Sequence, residues 1–547
     1  MRVTRATLVL AALLAPVPPQ LWAQDAAATT DAGTARVIVR FRADSSLVSA
    51  GFLSLDVATA ARAEALGARL GLPLSAGATV SDLAQVVLVS GVTSAELAER
   101  LAQESDVEYA VPDERRRIVG APNDPLYAAG VAGNGPAVGQ WYLRAPSGEV
   151  PSSLNIEAAW TVTTGSPGIV VAVVDTGVRY EHPDLLSVAS GGRLLPGYDM
   201  TTEPAVANDG DERDADPSDP GDWVTQAELS RPGSPLFRCT TSPSSSSWHG
   251  TQVSGLVAAL TNNGIGMAGA APGVRVLPVR VLGKCGGYDS DILAGMRWAA
   301  GLAVPGAPAN PYPARVINLS LGSDGACSAA YQEAVDEITA AGTVIVAAAG
   351  NSSGHAVGTP ASCTGVIAVA GLRHVGTKVG FSSLGPEVAI SAPGGNCVNA
   401  ATNSACLYPI LTATDSGETV PVRSTYTDSV NYSVGTSFST PLVAGVAALA
   451  LSAHPAMTPE EVKQRLQGTA RPFPPLGSIG YSSTVPECTL PQYSLRGMPI
   501  DQVECYCTTT TCGAGMLDAA AALGGAESRT SEPRDRRSER PDHRKGR

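Results

Sequence analysis

Three short stretches of the chain hold the residue types that together break acyl bonds: Val-Val-Asp175-Thr-Gly, His249-Gly-Thr and Gly-Thr-Ser437-Phe-Ser-Thr-Pro. They supply an acid, a base and a nucleophile. A serine hydroxyl is a poor nucleophile at neutral pH, so hydrolysis by serine needs an imidazole to take its proton and a carboxylate to hold that imidazole in the right tautomer. Asp175 follows the continuous apolar run 169–174, which predicts a strand with the aspartate at its carboxyl end, where open α/β sheets place their ligands. His249, one of six histidines, stands where a loop passes into a predicted helix. Ser437 follows Gly435, which permits close backbone approach, and precedes Pro441 and the run Leu-Val-Ala-Gly-Val-Ala-Ala-Leu-Ala-Leu. That run predicts a helix buried almost all round. Proline near the first turn is well placed, since its missing N–H is not needed there, and a serine at the positive end of the helix dipole sits where a developing oxyanion is stabilised. A fourth stretch, Ala347-Ala-Ala-Gly350-Asn351, ends another predicted strand with an amide side chain aimed where a carbonyl oxygen gains charge. Taken singly, each has an ordinary reading as a turn former, a helix cap or a packed histidine. The alternative Gly-x-Ser-x-Gly elbow is absent, because Ser439 stands where its glycine belongs.

The elements that must bring these residues together are legible as alternating patterns. From 168 onward, apolar β-branched runs at 169–174, 274–282, 316–319, 344–348 and 366–370 alternate with helical patterns at 252–260, 290–302, 329–340, 437–452 and 459–467. This is the signature of an α/β fold whose mostly parallel sheet is buried on both faces. Segment 203–247, rich in Asp, Pro, Ser and Gly, reads as a long surface insertion. Ahead of this lies a cysteine-free region patterned as strand 36–41, helix 57–70, strand 85–89, helix 94–103 and strand 107–111, with a further strand near Leu72. It predicts a small α+β domain of the ferredoxin-like kind, with Ser94 capping its second helix. The charged, turn-rich stretch from Glu114 through Pro125 marks the domain boundary. At the start, two arginines, the apolar run 8–15 and Leu21-Trp-Ala23 read as an export signal occupying 1–23. Residues 526–547 lose their hydrophobic side chains and read as a flexible charged tail.

Composition narrows the classes further. The ten cysteines all lie at or beyond Cys239, as suits an oxidising compartment, and none forms a convincing zinc pattern. A net charge of −13 argues against nucleic acid as the main partner. No segment after the signal offers about 18 consecutive apolar residues, so no membrane span is expected in the mature form.

Taken together, the four motifs resemble the subtilisin-like serine proteases over roughly residues 150–525; the order Asp, His, Ser is the subtilisin order. The resemblance implies a three-layer subtilisin-like sandwich at 121–525. In it Asp175 is the orienting carboxylate, His249 the general base and acid, Ser437 the nucleophile and Asn351 the oxyanion donor. It places Ser320-Leu321-Gly322 as the segment pairing with an extended peptide, Gly283 to Gly287 as the opposite rim, and Gly358 at the floor of a roomy apolar pocket for large uncharged side chains. It makes 24–120 a propeptide that aids folding and inhibits the enzyme until degraded, and it makes the whole a self-processed endopeptidase, extracellular or periplasmic. The crowded carboxylates of 208–222, together with calcium binding among related enzymes, point to structural calcium held by Asp211, Asp214, Asp216 and Asp222. Expected disulfides are Cys239 with Cys285, Cys327 with Cys363, Cys397 with Cys406, and Cys488 among the last three cysteines. Two departures stand out: Gln252 replaces the family's second histidine, and Phe438-Ser439-Thr440 replaces its Met-Ala-Ala. Rival readings are a catalytically silent binding protein of this fold and a secreted esterase.

Overall fold

The runs of Val, Ile and Ala that are apolar on both faces become neighbouring strands of a seven-stranded sheet. Its spatial order is Val388–Pro393, Ile367–Leu372, Val344–Ala348, Val316–Leu319, Val170–Asp175, Arg275–Arg280 and Tyr198–Asp199, and every pairing is parallel. The computed structural model describes residues 34–49, 55–113, 121–128, 138–397, 405–478 and 485–524. The expected signal at 1–23 and tail at 526–547 lie outside the described residues.

Side-chain alternation along the strands builds two cores. Val171, Val173, Val316, Val344 and Val346 face helices His249–Ala258 and Thr436–Ala453. Ala172, Val174, Ile317, Ile345 and Ala347 face helices Asp289–Ala299 and Ala329–Ala340. This makes the expected three layers. Helix Thr436–Ala453 is long and apolar enough to cross a membrane by composition, yet it lies inside the core with every residue from Phe438 to Leu451 buried.

Pro441 corrects one expectation. The helix begins at Thr436, so Pro441 lies beyond the first turn and its absent N–H leaves the Ser437 carbonyl without its helical donor. The Ser320 hydroxyl donates to that carbonyl instead, at 2.7 Å. Two edge strands, Val388–Pro393 and Tyr198–Asp199, escape the sequence reading, the first because it ends in Ser-Ala-Pro and the second because it is only two residues long.

Residues Met1–Ile118 form a separate compact unit from Val119–Arg547. In the first unit a four-stranded antiparallel sheet has the order Ser75–Ser81, Ala84–Ser90, Thr34–Phe41, Val107–Pro112. Helices Leu55–Leu70 and Ser94–Ala102 complete it, giving the ferredoxin-like order of elements. The cap of the second helix is Thr93, not Ser94: Thr93 and Glu96 exchange side-chain to backbone bonds in a capping box, while the Ser94 hydroxyl accepts from the Arg36 amide.

Candidate active site

Asp175 is the last residue of the central strand Val170–Asp175 and is fully buried. Its carboxylate meets His249 Nδ1 at 2.8 and 3.0 Å and also accepts from the Thr176 amide at 2.8 Å. A carboxylate accepts only, so Nδ1 carries the proton and Nε2 is left with its lone pair. Both motif glycines are required by crowding. A side chain on Gly250 would meet the Gly177 carbonyl at 2.1 Å, and one on Gly177 would meet the Pro217 carbonyl at 2.5 Å.

His249 opens its helix after Trp248, which holds a left-handed backbone with φ 52°. That turn is clamped from the insertion: Asp222 accepts from the Ser247 amide at 2.6 Å and its hydroxyl at 2.8 Å, and the Ser247 oxygen accepts from the His249 amide at 3.3 Å. Below lies a second buried carboxylate, Asp219. It accepts from the Thr176 hydroxyl at 2.7 Å, and that hydroxyl accepts in turn from the Gly250 amide at 3.0 Å. Burial pushes the Asp219 carboxyl up to about 7, its bond from Thr176 opposing and the charge of Asp222 adding to the rise. For His249, burial works to lower the pKa, but the charge and hydrogen bond of Asp175, with Asp222 and Asp219 adding, hold the imidazole above the ordinary histidine value.

Ser437 sits in the first turn of its helix, partly exposed, beside Phe438, whose ring centre lies 5.5 Å from that of His249. Its hydroxyl donates to the Ser320 carbonyl at 3.0 Å. Among the described residues this is the side-chain hydrogen bond it makes. Catalytic hydrogen bonds often tighten only when substrate is bound. Asn351 is oriented without ambiguity: its Oδ1 accepts from both the Thr436 amide and the Thr436 hydroxyl at 3.0 Å. An amide N–H can only donate, so the Asn351 NH₂ must point the other way, and Asn351 lines the same cavity as Ser437.

That cavity, about 400 Å³, runs between Ser320–Asp324 and Ala348–Ser352 over Gly358 and Thr359. Gly358 lines this cavity, and a side chain there would strike the Ser323 carbonyl at 2.3 Å. The pocket is roomy and mixed in character, with Leu321, Ala348 and Ala349 beside polar residues. Ser323, Asp324, Ser352 and Thr359 are among the residues that line it. A second cavity of about 400 Å³ adjoins it, lined by His249, Asp222, Gly283, Gly286, Gly287 and again Ser320, Leu321 and Gly322. Gly283 and Gly286 exchange backbone bonds in a tight turn, strapped to the insertion by Cys239–Cys285 and by Lys284 on Glu228 at 2.7 Å. The remaining disulfides are Cys327–Cys363, Cys397–Cys406, Cys488–Cys505 and Cys507–Cys512.

The four insertion aspartates do not converge. Asp214 accepts from the Asp216 amide and Asp216 from the Ser218 amide, Asp211 lies exposed, and Asp222 serves Ser247. Among the described residues none belongs to a cluster of three or more ligand atoms within 4.8 Å of one another. They do not fit a calcium cage of about 6–8 oxygens. The departures at Gln252 and Phe438 line neither of these two cavities: Gln252 bonds Ser247, Thr414 and Ser433, and Phe438 packs on the imidazole. Asp219 and Asp324 had no distinguishing signal in the sequence.

Comparison with known proteins agrees with this geometry. A model of the Subtilase family matches residues 166–489. A protein named extracellular protease from Xanthomonas campestris pv. campestris is 38% identical over 446 residues, 80% of this chain and 69% of its own length. An extracellular basic protease of Dichelobacter nodosus is 39% identical over 378 residues, 68% of this chain and 56% of its own. A solved protease structure from Pseudoalteromonas arctica is 40% identical, covers 74% of this chain and 99% of its own, and superposes with a TM-score of 0.58. With a parallel sheet that carries Asp175, a helix that opens on His249 and a buried helix that begins beside Ser437, the chain belongs to the Subtilase family of serine endopeptidases.

Proposed function

We propose that the protein is an exported endopeptidase that cuts peptide bonds through an acyl-enzyme on Ser437. The observation that carries this reading is the polarity of His249, with Nδ1 committed to Asp175 and Nε2 left basic beside the Ser437 turn. Ser437 Oγ attacks the peptide carbonyl carbon while its proton passes to His249 Nε2. The resulting oxyanion is met by the Asn351 NH₂ and the Ser437 amide, donors fixed before the reaction begins. His249 then gives its proton to the departing amine as the C–N bond breaks. Water, deprotonated by the same nitrogen, releases the acid and restores the hydroxyl. Substrate lies extended between Ser320-Leu321-Gly322 and the Gly283 turn, adding a strand by backbone bonds, so specificity is broad and large side chains fill the pocket over Gly358.

The ferredoxin-like unit at 24–120 acts as a propeptide that assists folding and blocks the cleft until it is degraded, after a signal at 1–23 directs export. Support comes from its separate core and from the extracellular naming of the relatives. Structural calcium is common in the family, and its contribution here is tested by chelation rather than assigned to the insertion aspartates. Expression of wild type and Ser437→Ala side by side tests the reading: wild type trims itself near residue 120, and the variant accumulates uncut. Identical processing of both would overturn self-cleavage.

A further inference from the structure

The wall of the cavity beside Ser437 holds one carboxylate, Asp324, and no basic side chain. Asp324 follows Ser323, which pairs with Thr359 through backbone bonds of 3.0 Å in both directions, so the pairing that builds the pocket floor also sets where this carboxylate begins. The Ser352 hydroxyl crosses from the opposite wall and donates to Asp324 Oδ1 at 2.9 Å. Ser352 is the residue after the oxyanion donor Asn351, so the bridge ties the acidic group to the same turn that serves the reaction. Oδ2 has no hydrogen bond or ion pair among the described residues, and the side chain is exposed.

Resting on the peptidase reading above, we propose that Asp324 is a specificity-determining residue. It makes the pocket beside Ser437 accept a basic side chain, lysine above all, as well as large uncharged ones. The cavity, at about 400 Å³, has room for an extended lysine, whose stem lies along Leu321, Ala348 and Ala349 while its ammonium reaches Oδ2. A long charged side chain covers apolar surface with its methylenes and keeps its head with a polar partner. Because Ser352 already engages Oδ1, a two-pronged donor would have to share that oxygen, whereas a single donor needs only Oδ2. That suits the point charge of an ammonium better than the two-pronged fork of a guanidinium. Among the described residues the adjoining cavity is lined by Asp222 and Asp289 and by no lysine or arginine, which favours the approach of a cationic peptide.

The test uses purified mature enzyme and a matched peptide series differing only in the residue before the cut: Phe, Leu, Lys and Arg. Wild type cleaves the Lys peptide at a rate comparable to Phe, and faster than Arg. Asp324→Asn lowers the Lys-to-Phe ratio of kcat/KM by about tenfold or more, the scale of a hydrogen bond to a charged group. A ratio unchanged in Asp324→Asn, or a wild type that cuts Phe but not Lys, overturns the assignment of Asp324. Absence of cleavage of every peptide by wild type overturns the underlying peptidase reading instead. Should the variant not fold, wild type alone still decides: raising NaCl from 0.05 to about 1 M screens the pair and lowers the Lys-to-Phe ratio, and a salt-independent ratio contradicts the proposal.

Discussion

The imidazole of His249 is held by charges from two directions. Asp175 fixes its tautomer from inside the sheet, while Asp222, on the insertion, clamps the turn ahead of it and adds a second negative charge. Both favour the imidazolium, so activity that needs the neutral base is lost on the acid side at a pH above the ordinary histidine midpoint. Asp222→Asn keeps an acceptor for Ser247 and removes the charge, which lowers the His249 pKa. The acid limb of kcat/KM against pH then moves to lower pH, and a limb that stays put would show that Asp222 acts only on the turn. Asp175, His249, Ser437 and Asn351 stand out in the sequence because the chemistry proposed for each demands one residue type within a short local motif. Asp222, expected among the calcium ligands, meets Ser247 in the structure, and a dense run of aspartates looks alike in sequence whichever donors its members finally meet.

At the level of elements, the helix that carries Ser437 and the segment proposed to pair with substrate are locked to each other. Ser320 gives its hydroxyl to the carbonyl that Pro441 leaves without a donor, and its own carbonyl takes the Ser437 hydroxyl. Ser320→Ala leaves the Ser437 carbonyl unpaired inside the fold. Measured by denaturant unfolding in an inactive Ser437→Ala background, it costs about 1–3 kcal/mol. The rim is held otherwise: Cys239–Cys285 joins the insertion to the Gly283 turn across 46 residues. Replacing both cysteines by serine lowers stability by about 2–4 kcal/mol and raises KM for extended peptides more than it lowers kcat; equal stability of the two forms would refute a structural role. Periodicity revealed the long strands and helices because burial on both faces writes an unbroken apolar run. It could not reveal Tyr198–Asp199, too short to carry a pattern, nor the Ser323 to Thr359 pairing that sets Asp324 in the pocket wall, since that contact joins segments far apart in the chain.

Across the whole molecule, one sheet gathers Asp175, Asn351 and, through the helix packed on it, Ser437, while an insertion of no regular period steadies the turn before His249. The gross architecture was readable: an antiparallel first unit, then a parallel sheet between helices. Its finer electrostatics were not, because burial of Asp219 and exposure of Asp324 are set by packing rather than by neighbours in sequence. The central claim is that Asp175, His249 and Ser437 act as one unit, and its most direct test is covalent labelling with phenylmethanesulfonyl fluoride, located by intact mass and peptide mapping. The account predicts a single adduct on Ser437, formed more slowly as pH falls through the His249 titration and abolished in His249→Ala. An adduct on another residue, or peptide hydrolysis undiminished in Ser437→Ala, would contradict it.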